Sequence, residues 1–115
     1  MYTIYHNKRC GKSRAALAAL QEQNNDFTVV DYLNTIPTKK ELEALLELLG
    51  MSAFELIRKK ETIFVNQFKD KQLSNNEWLE VLIKYPILIE RPIIVSKNKA
   101  IIARSPEKIA EALAK

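Results

Sequence analysis

The stretch "HNKRCGKSR", residues 6–14, holds the only cysteine and the only histidine of the 115-residue chain. Lys8, Arg9, Lys12 and Arg14 all lie within four positions of Cys10. A thiol becomes a good nucleophile when its thiolate is favoured, and nearby cations or the N-terminus of a helix provide that. The loop therefore suits a reactive thiolate that also meets an anion. One cysteine excludes an internal disulfide, and one cysteine with one histidine is too few nitrogen and sulfur ligands for a zinc site. Any redox cycle at Cys10 must take its second thiol from another molecule.

Such a thiol needs a helix behind it and a strand in front of it. "YTIYH" at 2–6 alternates as a strand does, and the Ala- and Leu-rich stretch from about Gly11 to Gln23 predicts a helix. "FTVVDYL" at 27–33 reads as a second strand, its Val pair predicting burial on both faces. Strand, helix and strand with short joins make a right-handed βαβ unit with parallel strands. Cys10 then stands at the carboxyl end of the first strand, where ligands of open α/β sheets gather, and beside the unpaired N–H groups of a helix start. Ser13 is placed either to cap that helix or to serve the loop. His6 either ends the strand with a satisfied ring or holds the loop and tunes Cys10.

The pattern then changes. Thr38 with Glu41, Ser52 with Glu55 and Ser74 with Glu77 all have capping-box spacing, and apolar residues follow at helical intervals. Residues 38–85 are expected as a helical insertion, with Gly50 ending its first helix. "RPIIVS" at 91–96 and "KAIIAR" at 99–104 predict a hairpin turning at Lys97 and Asn98. "SPEKIAEALAK" predicts a last helix with Ser105 as N-cap, Pro106 at its first position and Ile109 and Leu113 inward. The order β-α-β, helices, β-β-α implies an α/β, thioredoxin-like fold with a central mixed four-stranded sheet. A single domain over residues 1–115, with the insertion at about 38–85, is expected.

Composition narrows the function classes. The chain is 47% hydrophobic with two glycines, which excludes disorder and glycine-rich solenoids. No apolar run approaches a membrane span and the first residues do not read as a secretion signal, so a soluble cytoplasmic protein with no membrane partner is expected. The net charge of +4 permits an anionic ligand. Its basic residues are scattered and do not interleave with aromatics, so nucleic acid is not expected as a partner.

"IYHNKRCGKSR" resembles the "IYHN-x-x-C-x-x-SR" opening of the ArsC family, the glutaredoxin-dependent arsenate reductases. "ELIRKKE", "YPILIERPIIV" and "ARSPEKI" are similar to three further segments of that family, in the same order. The likeness runs from Tyr2 to about Leu113. It implies Cys10 as the nucleophile, with Arg58, Arg91 and Arg104 holding the oxyanion and its thiol-bound intermediate. It implies supporting roles for His6, Ser13 and Arg14, and it puts Pro92 at the cis-proline position of thioredoxin-like folds. Arsenate or a similar oxyanion would be the substrate, glutathione the co-substrate and glutaredoxin the partner, with no bound cofactor and no metal. The loop departs from the family pattern in Lys8, where many relatives carry proline, in Arg9 beside it and in Lys12.

The arginines also make sense without the likeness. Arsenate is a tetrahedral, doubly charged oxyanion, and guanidinium forks bind such groups bidentately without losing charge. Arg91 and Arg104 begin and end a hairpin, which brings them close, and Arg58 comes from the helical block. Two other functions share the features read so far. One is a redox regulator or binding module of the Spx type, although Ser13 fills the second position of that type's Cys-x-x-Cys loop. The other is a glutathione-linked thiol oxidoreductase whose arginines hold glutathione carboxylates.

Overall fold

The computed structural model describes residues 1–23 and 26–114, in two compact units. The first comprises residues 1–35 and 91–115. It contains β1 (Tyr2–Tyr5), α1 (Gly11–Glu22) and β2 (Phe27–Val30), followed after the second unit by β3 (Ile93–Val95), β4 (Ala100–Ile102) and α5 (Pro106–Leu113). The strands form one mixed sheet in the order β2-β1-β3-β4. β1 runs parallel to β2, with Ile4 opposite Val29, and antiparallel to β3, with Ile4 opposite Ile94. β3 and β4 are antiparallel, Ile94 facing Ile101. This is the thioredoxin-like α/β arrangement expected from the sequence.

Ile4, Ala16, Leu20, Ile94, Ala103, Ala112 and Leu113 form the buried core of this unit. The second strand is shorter than the sequence suggests, and burial of its Val pair on both faces is not found. β2 is an edge strand, so Thr28 and Val29 are exposed and Val30 is half-buried. It stops at Asp31, whose carbonyl takes the N–H groups of Asn34 (3.0 Å) and Thr35 (2.8 Å) and whose carboxylate accepts from the Asn34 amide (2.7 Å). The hairpin strands are likewise trimmed, although the Ala103 N–H still reaches the Pro92 carbonyl at 2.9 Å. The Arg91–Pro92 peptide bond is cis. The last helix starts as read, with the Ser105 hydroxyl accepting from Lys108 N–H at 3.1 Å. Lys115, included in that reading, lies outside the described residues.

The second unit spans residues 36–90. It holds α2 (Lys39–Leu49), α3 (Thr62–Gln67) and α4 (Asn75–Lys84), with single 3-10 turns at Phe54–Leu56 and Pro86–Leu88. Thr38 with Glu41 and Ser74 with Glu77 close complete capping boxes on α2 and α4. Gly50 ends α2 at φ 68°, a left-handed position that costs other residues a steric clash with Cβ. The Ser52–Glu55 box also forms, at 2.9 and 3.3 Å, yet only one 3-10 turn follows it instead of the expected helix. The chain straightens at Ile57 to pair with Ile89, and Arg58 N–H and Glu90 N–H bond to Leu88 and Leu56 carbonyls at 2.7 and 3.0 Å. Local capping loses there to a longer-range backbone pairing. Trp78 is the hub of this unit's core, its ring touching those of Phe54, Phe64 and Phe68. Among the described residues no helix is long and apolar enough to cross a membrane.

Candidate active site

The first unit's sheet delivers Cys10 by ending early. β1 closes at Tyr5, the His6 N–H makes one last bond to the Val30 carbonyl (2.9 Å), and the chain bends through residues 7–10 into α1. Cys10 is the N-cap of that helix, with extended φ and ψ of −94° and 122° and no side-chain capping bond. Its carbonyl accepts from Arg14 N–H at 3.0 Å, starting the helical ladder. The thiol is half-buried. An N-cap side chain normally supplies an oxygen to the first-turn N–H groups. Here those groups meet sulfur.

Burial alone pushes the Cys10 pKa up. The Ser13 N–H, a hydrogen bond from Arg91, the Lys12 N–H and the Arg91 charge outweigh it, so the thiol stays below its ordinary value. This corrects one expectation. The four loop cations were to stabilise the thiolate, but the guanidinium at the sulfur belongs to Arg91, at the entrance to β3. Lys8, Arg9, Lys12 and Arg14 are exposed. Arg14 donates from Nη1 to the Lys8 carbonyl at 2.9 Å, and Lys12 serves the thiol through its backbone. Long, solvated side chains on a tight bend reach outward, whereas a residue buried just ahead of the adjoining strand is held in place.

His6 and Ser13 belong to the loop's interior. Ser13 is fully buried, with its hydroxyl oxygen 2.6 Å from His6 Nδ1 and accepting from the Asn7 N–H at 3.0 Å. Ser13 therefore serves the loop and does not cap α1. Burial lowers the His6 pKa; Asp31 opposes this, Arg14 adds to it and a bond to Ser13 opposes it. The ring thus remains the neutral partner of Ser13 at neutral pH.

Arg91 is buried, and its backbone is held as well as its side chain. Arg104, half-buried just beyond β4, donates from Nη1 to the Arg91 carbonyl at 2.6 Å. The hairpin reading that put these two arginines side by side is thereby met. Pro92, buried and cis-linked, follows Arg91. Arg58 lies in the second unit, just after the turn at Phe54–Leu56, where Glu61 and Glu90 stand 3.7 and 3.9 Å from its guanidinium nitrogens.

Sequence reasoning assigned no role to Asn7, although it is 3% exposed and its backbone N–H and carbonyl are both hydrogen-bonded. The available signal was its type: Asn at a bend readily accepts an N–H two residues on. Among the described residues no cluster of three or more His, Cys, Asp or Glu is placed to hold a metal ion.

Comparison with known proteins places the chain in a family. Residues 5–112 match the ArsC family. The chain belongs to the ArsC family. Among its relatives, the uncharacterized protein YfgD of Escherichia coli (strain K12) is 43% identical over 94% of this chain and 92% of its own. The arsenate reductase of Rhizobium meliloti (strain 1021) is 37% identical, over 96% of this chain and 80% of its own. Among solved structures, the arsenate reductase from Vibrio cholerae superposes with a TM-score of 0.90 at 38% identity, covering 97% of both chains. The ArsC match covers both compact units of the structure.

Proposed function

We propose that this ArsC protein is an arsenate reductase that works through a covalent bond between Cys10 and arsenic. The observation that carries the reading is the half-buried Cys10 thiol at an uncapped helix start, with Arg91 bonded to it. The names of the relatives support the substrate.

In this reading the Cys10 thiolate attacks arsenic(V). One As–O bond breaks, and its oxygen departs as water after taking up two protons. Arg91 and Arg104 balance the charge on the remaining oxygens, and their planar forks match two oxygens at a time. Arg58 enters on the likeness of its segment to the family alone. Glutathione then forms an S–S bond to Cys10 while the S–As pair stays on arsenic. Arsenic falls from V to III and leaves as arsenite, and the two sulfurs become a mixed disulfide. Glutaredoxin takes the glutathionyl group and returns Cys10 to its thiol. An external thiol is required because the chain has one cysteine, and a glutathione-reduced compartment, the cytoplasm, suits the cycle.

The test is NADPH consumption coupled through glutathione reductase, glutathione and glutaredoxin, with arsenate as the only added oxidant. Consumption that requires the protein, arsenate and Cys10 is expected. Turnover of glutathione mixed disulfides without any response to arsenate would replace this reading with the deglutathionylating one.

A further inference from the structure

We propose that Asn7 is a positioning residue for Cys10, setting the bend that aims the first-turn N–H groups at the sulfur. The inference rests on Cys10 being the reacting group, and it extends that reading to a residue with no role in it so far.

Three bonds carry the proposal. The Asn7 side-chain Oδ1 accepts from Arg9 N–H at 3.0 Å, and its carbonyl accepts from Cys10 N–H at 3.0 Å. Its own N–H donates to Ser13 Oγ at 3.0 Å. Asn7 thus fixes the two residues entering the helix start and one in its first turn. The Ser13 hydroxyl is held between Asn7 and His6, while the backbone N–H of the same residue supports the thiolate. Displacing the bend would move Cys10 relative to Ser13 and Lys12 N–H, and hydrogen bonds weaken steeply as their angle opens. Lys8 and Arg9 sit between these anchors with exposed side chains, and Arg9 joins them only through its backbone N–H.

The side-chain acceptor is the part that substitution can remove. Asn7→Ala deletes Oδ1, whereas Asn7→Ser keeps a shorter oxygen able to take the same N–H more weakly. Alkylation of the full chain by iodoacetamide, followed from pH 5 to 10, reads the thiol without arsenate, glutathione or glutaredoxin. Asn7→Ala is expected to move the midpoint upward by about half to one pH unit. At pH values well below both midpoints that is roughly a three- to tenfold slower reaction, with the plateau at high pH unchanged. Asn7→Ser should fall between Ala and the parent, and amide exchange at Arg9 should quicken in the order parent, Ser, Ala.

An unchanged midpoint in a folded Asn7→Ala protein would overturn the proposal. So would an equal slowing at every pH, since that reports access and not thiolate stability. If Asn7→Ala does not fold, Asn7→Ser decides: a midpoint and an Arg9 exchange rate identical to the parent's would overturn it too. Failure of the arsenate reading leaves this measurement intact, because the parent's depressed midpoint would persist without any arsenate turnover.

Discussion

The starts of α1 and α2 are built to opposite ends. At α2, Thr38 accepts from Glu41 N–H at 3.2 Å while Glu41 accepts from Thr38 N–H at 2.9 Å. α4 repeats the arrangement with Ser74 and Glu77. Each of these helices also carries a carboxylate in its first turn, against the positive end of the helix dipole. α1 has neither device: its N-cap is Cys10, it makes no side-chain capping bond, and its first turn contains no acid. Among the described helices of eight residues or more, α1 alone lacks both devices; the six-residue α3 also has no side-chain capping bond. What α1 forgoes in stability it keeps as donors and positive potential for a thiolate and whatever anion approaches it.

Exchanging the two designs tests this contrast. Cys10→Ser should have the largest effect, abolishing arsenate turnover, since a hydroxyl at neutral pH is a far weaker nucleophile than a thiolate. The same change installs an ordinary N-cap, so the variant should be as stable as the parent or more stable by up to about 1 kcal/mol at pH 5–6. Its advantage should shrink as pH rises. The folded-state pKa of Cys10 is depressed, so the parent gains stability from its folded pKa up to the unfolded value of about 8.5, and keeps it above. Denaturant melts at several pH values would show this, and a deficit at every pH would contradict it.

Next in size are the arginines. Lysine supplies charge without the fork, and a hydrogen bond to a charged group contributes about 1.5–3 kcal/mol. Arg91→Lys and Arg104→Lys should each therefore reduce arsenate kcat/KM by about one to two orders of magnitude. Iodoacetamide reactivity should separate the two, because Arg91 touches the thiol and Arg104 touches the Arg91 carbonyl. The alkylation midpoint should rise in the first variant and stay nearly fixed in the second.

Smaller effects belong to the capped helices. Thr38→Ala or Ser74→Ala should lower stability by about 1 kcal/mol and leave alkylation untouched. Glu41 and Glu77 are held below their ordinary pKa by the backbone N–H and hydroxyl of Thr38 and Ser74. Their contribution is present above the ordinary carboxylate pKa and fades as pH falls through the folded values. The gap between the cap variants and the parent should therefore narrow in acid without closing, because the hydroxyls still accept from Glu41 and Glu77 N–H there; urea melts at pH 3 and 7 would measure this.

Most of the topology was legible because local signals agreed with it. The βαβ opening, the two capping boxes with their helices and the hairpin at Lys97–Asn98 all came from short-range chemistry. Cys10 was legible from its company of charges, but the charge that reaches it was not. Arg91 lies 81 residues along the chain, and nothing in the loop announces it. The misread elements have the same cause. Val29 looks like a core residue until the sheet order leaves it on an edge, and Ser52–Glu55 promises a helix until Ile57 pairs with Ile89. Asn7 escaped notice because a buried amide turned into its own loop leaves no periodic trace.

The bond from Arg104 to the Arg91 carbonyl makes the two arginines a coupled pair. Residues that share a partner lose energy non-additively, with coupling of about 0.5–3 kcal/mol. The loss in a protein lacking both forks should therefore depart from the product of the single losses. The acceptor of that bond is a main-chain carbonyl, so any side chain at residue 91 still offers Arg104 its anchor.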